Sequence, residues 1–504
     1  MTLGTDIVKI RTRENAAYGA GNFGLGVVLF MASTYLLYYY SDFIGLSPAL
    51  MGLAIVIGKV WDAVCDPLLG YISDRTRSRW GRRRVYLLFA SVPLAIAFYF
   101  MWAPPSFLTE DPGAGLFVYI TCVWVALMTL YAAVAVPYYA LGAEISTDEH
   151  ERSQAFAWSN MGNRLGQLLA IAAANAALEF GDTLVQALHN KLGLFSDATT
   201  QSLVDYFSVP ANGLQVVVAF FSILLLASIL WSFFGTRERV IYRPEEKAEG
   251  GLIGGVKAFF AETVGNFKSK AFRVLIISQL IGDINAGMMF STFPYALKYV
   301  FGAEDYLAPF MAVAIICGIL FAFAWVKVAK KKGKKWCFLA AQLMYAIAML
   351  AMMAVPQGAP LFFLPCCVLL SVGIGGYVMV WSLIADIADY EELRTGRRRE
   401  GSLYGIYNLS SKTANAIGVG VTGFVIAWLG FTKGATITSD MTFQLRLFFT
   451  VGIALLNIVG FLIFLRYPYD REEHKRIQVE LKDRNRDAAG ADAAPAPVAT
   501  EAPA

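Results

Sequence analysis

Apolar windows of roughly 20 residues recur twelve times along this chain, and that recurrence leaves it few folds. They fall near 16–40, 48–72, 83–102, 115–141, 155–178 and 213–235, then near 271–299, 305–328, 335–355, 360–387, 402–429 and 441–466. Each is long enough to cross a bilayer as a helix, the one open-ended element whose backbone N–H and C=O groups are all satisfied within the segment. Composition agrees. A chain 57% hydrophobic and only 16% charged, with mean hydropathy +0.53, is too apolar for an ordinary soluble domain. The expected fold class is all-α integral membrane, with twelve transmembrane helices.

Orientation follows from charge, because basic residues collect on the cytoplasmic side of membrane proteins. Lys9 to Arg13, Arg75 to Arg84, Lys327 to Lys335 and Arg394 to Arg399 occupy alternate loops, whereas the opposite loops hold little beyond Lys191, Lys298 and Lys433. Both termini are therefore expected in the cytoplasm. The basic loops lack interleaved aromatic platforms, so the net charge of +4 reports topology and excludes nucleic acid as a partner. Cysteines 65, 122, 317, 337, 366 and 367 lie in or beside apolar windows without metal-ligand spacing and read as reduced packing residues. The first window follows basic residues and runs too long for a removable signal.

Internal repetition divides the chain. Gly21-Asn22-Phe23-Gly24 in the first window has a counterpart in Gly282-Asp283-Ile284-Asn285-Ala286-Gly287 in the seventh, and the basic loop after window two has one after window eight. Such repeats place a binding site near the membrane midplane, between the halves. The expected organisation is an N-terminal six-helix bundle over 1–235, a cytoplasmic linker over 236–270 with an amphipathic stretch from Val256 to Phe267, a C-terminal six-helix bundle over 271–466, and a disordered cytoplasmic tail over 467–504 whose Ala/Pro-rich end cannot bury a core. The segment 179–212 reads as a long outer loop.

Carboxylates inside apolar windows carry the functional signal. Asp62 and Asp66 in Trp61-Asp62-Ala63-Val64-Cys65-Asp66-Pro67 share one helix face at i,i+4 spacing. A charge near the bilayer centre costs about 2.5 to 3.5 kcal/mol on insertion scales, so both should face the protein interior. There they hold a proton or a bound cation between them, which is the chemistry of ion-coupled transport. The bland reading pairs Lys59 with Asp62 and leaves Asp66 to shape the helix with Pro67.

Other polar groups lie as deep: Asn22, Asn163 and Arg164 in Ser159-Asn160-Met161-Gly162-Asn163-Arg164, Asp283, Asn285, and Lys412. Arg164 and Lys412 must pair with acids, carbonyls or substrate, Asp62 and Asp66 being the bland choice. Tyr131, Tyr138, Tyr139, Trp158, Tyr377 and Trp381 are candidate platforms for a polar ring, against the simpler reading as packing or interfacial aromatics. At the cytoplasmic mouth Asp74, Arg75, Arg82 and Arg83, and their counterparts Asp386, Asp389 and Arg398, are candidate gating residues that pair in one conformation and separate in another; a solvated anchoring loop is the alternative. GxxxxGK[ST], HExxH and Gly-x-Ser-x-Gly patterns are missing, so no enzyme and no cofactor is expected.

The runs Trp61 to Pro67, Asp74-Arg75-Thr76-Arg77-Ser78-Arg79-Trp80-Gly81-Arg82-Arg83-Arg84, and Ala385-Asp386-Ile387-Ala388-Asp389-Tyr390-Glu391-Glu392 through Arg398-Arg399-Glu400-Gly401 resemble the glycoside–pentoside–hexuronide:cation symporters of the major facilitator superfamily. The resemblance spans both halves. It implies two pseudo-symmetric six-helix bundles rocking about a central site, in a bacterial inner membrane, working as a monomer. From the melibiose permeases in that family it implies that Asp62 and Asp66 are cation-site carboxylates, Lys412 a lysine near them, Arg164 an arginine near the sugar and Tyr131 a site tyrosine. The family's Na⁺-site asparagine and threonine fall at Cys65 and Ala132, which favours protons over sodium, and its sugar-clamping acids fall at Gly26 and Ala135, which favours an anionic substrate such as a uronide.

The expected function is cation-coupled symport of a sugar, glycoside or uronide by alternating access, with Asp62, Asp66 and Lys412 coupling the cation. Lipid carriers similar to this family share the Trp-Asp-x-x-x-Asp-Pro run, so transport of an amphipathic lipid such as a lysophospholipid is the second reading. A transporter-shaped receptor without flux is the third.

Overall fold

The computed structural model describes residues 12–145, 149–179, 197–207, 210–238, 267, 269–395, 400–473, 476–477 and 479–480. Among the described residues twelve long helices follow one another: α1 (Thr12–Tyr38, continued by a wide turn through Tyr39–Ile44), α2 (Pro48–Arg75), α3 (Arg84–Trp102), α4 (Ala114–Glu144), α5 (Glu149–Glu179), α6 (Pro210–Gly235), α7 (Lys270–Tyr295, continued through Ala296–Phe301), α8 (Leu307–Lys332), α9 (Lys334–Ala351), α10 (Phe363–Gly375 and Val378–Thr395), α11 (Glu400–Trp428) and α12 (Ser439–Phe464). Ten of them are apolar and long enough to cross a membrane. The other two, α5 and α11, are as long at 31 and 29 residues but carry the polar runs around Arg164 and Lys412. A spanning helix keeps such residues only where they face protein or a cavity.

Helix pairing repeats six places along the chain. As α1 packs on α5 and α6, α7 packs on α11 and α12; as α3 packs on α4 and α6, α9 packs on α10 and α12; as α2 packs on α4, α8 packs on α10. Two pseudo-symmetric bundles result. They meet where α2 lies on α11, α5 on α8 and α1 on α7.

Glycines fix the internal register by letting backbones touch. A Cβ on Gly26 or Gly166 would strike the carbonyls of Asn163 and Phe23 between α1 and α5, and one on Gly287 or Gly418 would strike those of Asn415 and Ile284 between α7 and α11. The two contacts are the same contact in each half. In that shared register Asn22 corresponds to Asp283, Ser159 to Ser411 and Asn160 to Lys412.

Large apolar side chains such as Phe89, Ile223, Phe234, Phe323 and Trp428 point outward and stay exposed, an apolar surface that a soluble protein would not keep. Tyr467 and Tyr469 pack onto the second bundle and Asp470 Oδ1 accepts the N–H groups of Glu472 and Glu473, so ordered chain continues past 467, where a disordered tail was expected. Most of the expected linker, the amphipathic stretch up to residue 266, residues 180–196 and the tail beyond 480 lie outside the described residues.

Candidate functional site

Asp62 and Asp66 point from α2 toward α11, where Lys412 meets both. Its ammonium lies 3.1 Å from Asp62 Oδ2 and in still closer contact with Asp66 Oδ2. Asp62 is 1% exposed. Asp66 and Lys412 keep about a third of their side chains accessible, at 29% and 32%. The second oxygen of each carboxylate, Oδ1, is buried without a partner. Pro67 adds a further acceptor, because it has no N–H to give the Ala63 carbonyl one turn back. The bland Lys59–Asp62 pair does not form: the Lys59 ammonium lies over the Trp124 ring, 5.7 Å from its centroid.

The acids have a neighbour that the sequence reading missed. Thr129 Oγ1 accepts the Trp61 indole N–H at 2.8 Å, donates to the Val125 carbonyl at 2.8 Å, and lies 3.9 Å from Cys65 Sγ. It therefore puts an oxygen beside Cys65, one helical turn before Ala132 on the α4 face turned to α2. Helical spacing from Ala132 is the signal that would have found it.

Around α1, α4 and α5 the first bundle forms a polar network. Asn22 Nδ2 donates to Ser159 Oγ at 2.9 Å, and its Oδ1 accepts from Tyr139 OH and from Asn163 Nδ2, each at 3.1 Å. Tyr131 is buried close to Tyr139 and the two acids. Arg164 does not pair with Asp62 or Asp66; Nη1 donates to Gln167 on its own helix at 3.1 Å, and its side chain stays exposed. Trp158 is half-buried beside Gly19.

Two expectations need correction. Tyr138 is fully buried, stacked on Tyr18, and its hydroxyl is committed to the Tyr18 carbonyl and Ser159, so it packs α4 on α1 and offers a substrate nothing. The accessible ring is Tyr139. Lys412, expected as both coupling and substrate residue, has its ammonium engaged by the Asp62 and Asp66 carboxylates. A side chain at Gly26 would meet the Asn163 backbone and amide, so this backbone packing has no room for one.

In the second bundle Asp283 accepts from Gln279 Nε2 at 3.1 Å and lies near Ser411, with Tyr377 and Tyr407 in its wider surroundings. Trp381 is exposed, stacked on Tyr404 with centroids 5.6 Å apart and edge-on to Tyr407 at 5.2 Å.

Several of the expected gating residues make contacts within their own bundle. Arg82 and Arg83 meet the buried Glu144 at 2.5 and 3.2 Å, Arg83 also contacts Asp74, and Glu238 accepts the N–H groups of Arg82, Arg83 and Arg84 at the start of α3. A carboxylate there complements the helix dipole. Arg75 stacks on Tyr71 of its own helix. Lys334 joins α9 to α10 through Asp386 at 2.5 Å. Asp389 sits near the end of α10, and Arg398 lies outside the described residues.

Among the described residues, three further contacts between the bundles lie at the face opposite the chain termini. Lys298 at the end of α7 meets Asp42 after α1 at 2.6 Å, Tyr299 OH donates to the same carboxylate at 2.5 Å, and Lys433 donates to the Phe43 carbonyl at 2.6 Å. Sequence reading passed over them, although two lysines on a face otherwise poor in bases were the available signal.

Twelve helices in two repeated bundles with acids at their interface define a secondary transporter of the major facilitator type. Residues 17–471 match the family described as MFS/sugar transport protein, and the chain belongs to that family. An uncharacterized symporter of Synechocystis is 26% identical over 94% of this chain and 97% of its own. The glucuronide carrier protein homolog of Escherichia coli is 23% identical over 94% and 96%. A crystal structure of a D-xylose–proton symporter superposes with TM-score 0.59 at 13% identity, over 91% of this chain and 97% of that one, which supports the fold. The chain is thus an integral membrane transporter and not an enzyme.

Proposed function

We propose that the protein is a symporter that couples downhill entry of a cation, a proton in preference to sodium, to uptake of a sugar, glycoside or uronide. The observation that carries this reading is the bridge from Lys412 to Asp62 and Asp66 across the α2–α11 interface. A cation arriving at the carboxylates competes with the lysine for them. A proton does so with the least rearrangement, because a neutral acid keeps a hydrogen bond but loses most of its hold on an ammonium. Occupancy by the cation then loosens one tie between the bundles, and a ligand shifts a conformational equilibrium only through such a difference between states. The names of relatives, a symporter and a glucuronide carrier among them, support the substrate class.

With both termini cytoplasmic, the Asp42–Lys298 contact closes the outer face, so this arrangement is the one that releases substrate inward. The substrate would lie between the Asn22, Tyr131, Tyr139, Asn163 and Arg164 surface of the first bundle and the Asp283, Tyr377 and Trp381 surface of the second. Arg164 is the base left to receive an anionic group, Lys412 being engaged. The protein works as a monomer in the bacterial inner membrane. Counterflow in liposomes with neutral glycosides, uronides and lysophospholipids tests the reading: exchange of a glycoside or uronide supports it, and exchange of lysophospholipid alone replaces it with the lipid one.

A further inference from the structure

The shared register of the two bundles sets Asn22 and Asp283 side by side as equivalents, yet their surroundings differ in one respect. All the hydrogen-bonding capacity that Asn22 needs is met by protein: Nδ2 on Ser159, Oδ1 on Tyr139 and Asn163. Asp283 keeps the Ser411 contact that corresponds to Ser159, and Gln279 holds its Oδ1 at 3.1 Å. Its Oδ2 is buried with no partner, and so is the Oε1 of Gln279, a residue 2% exposed.

The missing donor can be identified. Gly21 packs on the ring of Tyr138 as Gly282 packs on the hydroxyl end of Tyr377, which aligns those tyrosines and puts Val378 where the first bundle has Tyr139. Valine has no hydroxyl. The first bundle thus fills this position with its own tyrosine, the second has no hydroxyl there, and Asp283 Oδ2 is left without a partner. A buried acceptor without a donor costs about 1–3 kcal/mol, more when charged, and is kept where something supplies the donor.

We infer that Asp283 is the hydroxyl-recognising acid of the substrate site, supplied by the C-terminal bundle in place of the acids that Gly26 and Ala135 do not provide. Gln279 fixes Oδ1, Ser411 stands beside the carboxylate, and Oδ2 accepts a hydroxyl of the substrate ring. The exposed face of Trp381, carried on Tyr404 and Tyr407, adjoins the Tyr407 side of this acid and stacks on the apolar face of the same ring. The inference rests on the sugar reading proposed above.

The test uses purified protein in liposomes with methyl β-D-glucuronide, methyl β-D-glucoside and their monodeoxy derivatives as counterflow ligands. Asp283→Asn should bind the parent glycoside about 10- to 100-fold more weakly, and one monodeoxy derivative should be affected far less, because it lacks the hydroxyl in question. Val378→Tyr leaves Asp283 in place, supplies the hydroxyl that the first bundle has, and should reproduce the loss. Wild-type affinity in Asp283→Asn, equal losses for every deoxy derivative, or lost uphill accumulation at unchanged affinity each overturns the inference while leaving sugar transport in place. A wild-type protein that exchanges neither parent glycoside removes the sugar reading and this inference with it.

Discussion

Lys412 and Asp66 lie 346 residues apart in the chain and in direct contact in the fold, joining α11 of one bundle to α2 of the other. Asp62 completes the bridge. The carboxylates of α2 are therefore themselves part of the contact between the bundles.

Asp62→Asn and Asp66→Asn should each bring accumulation of substrate down to equilibrium while downhill exchange continues, because an amide cannot exchange a proton near neutral pH. Accumulation ratios measured in energised vesicles decide this. Full accumulation in the double variant would remove the pair from the coupling mechanism.

Lys412→Met should leave two carboxylates facing each other without a counter-ion. Breaking a fully buried pair costs 3–5 kcal/mol, and the third of the side chains that remains exposed reduces this to roughly 1–3 kcal/mol. A lowered melting temperature in detergent, recovered when Asp66→Asn is added, is the expected result. Stability unchanged in Lys412→Met would mean that water already shields the acids.

Uptake should respond to a pH gradient more than to a sodium gradient at fixed membrane potential. Cys65 and Ala132 contribute no hard oxygen, and Thr129 already uses its hydroxyl on Trp61 and Val125. Strong sodium stimulation at constant pH would place Thr129 and the Ala63 carbonyl among the ligands instead.

Asp42→Asn or Lys298→Met should loosen the face opposite the termini. A partly exposed pair is worth about 1 kcal/mol, or roughly a five-fold change in the open population. Distances between spin labels on the ends of α1 and α7 report that population. The converse variant, Asp42→Cys with Lys298→Cys, should block transport when cross-linked and recover on reduction.

Arg164→Lys should weaken a uronide by about 1–3 kcal/mol more than its carboxyl-reduced analogue, since a lysine offers a point charge where arginine offers a planar fork. Equal losses measured for both ligands would assign Arg164 to the Gln167 contact alone.

Much of this was written along the chain. The apolar windows, the polar runs that single out α5 and α11, the i,i+4 acids and the paired patches around Asn22 and Asp283 are local patterns, and helix periodicity with the cost of burying charge is enough to read them. Contacts between distant segments were another matter. That Tyr138 is sealed against Tyr18 while Tyr139 is accessible depends on a rotation of about 100° per residue and on where α1 crosses α4. Gly26 reads as a missing acid until the Asn163 backbone is seen against it, and Lys412 reads as a substrate ligand until both carboxylates are found around it. Local spacing determined which residues had to face the interior; only the crossing of helices far apart in the chain decided which of those residues neutralise one another and which are left open for a ligand.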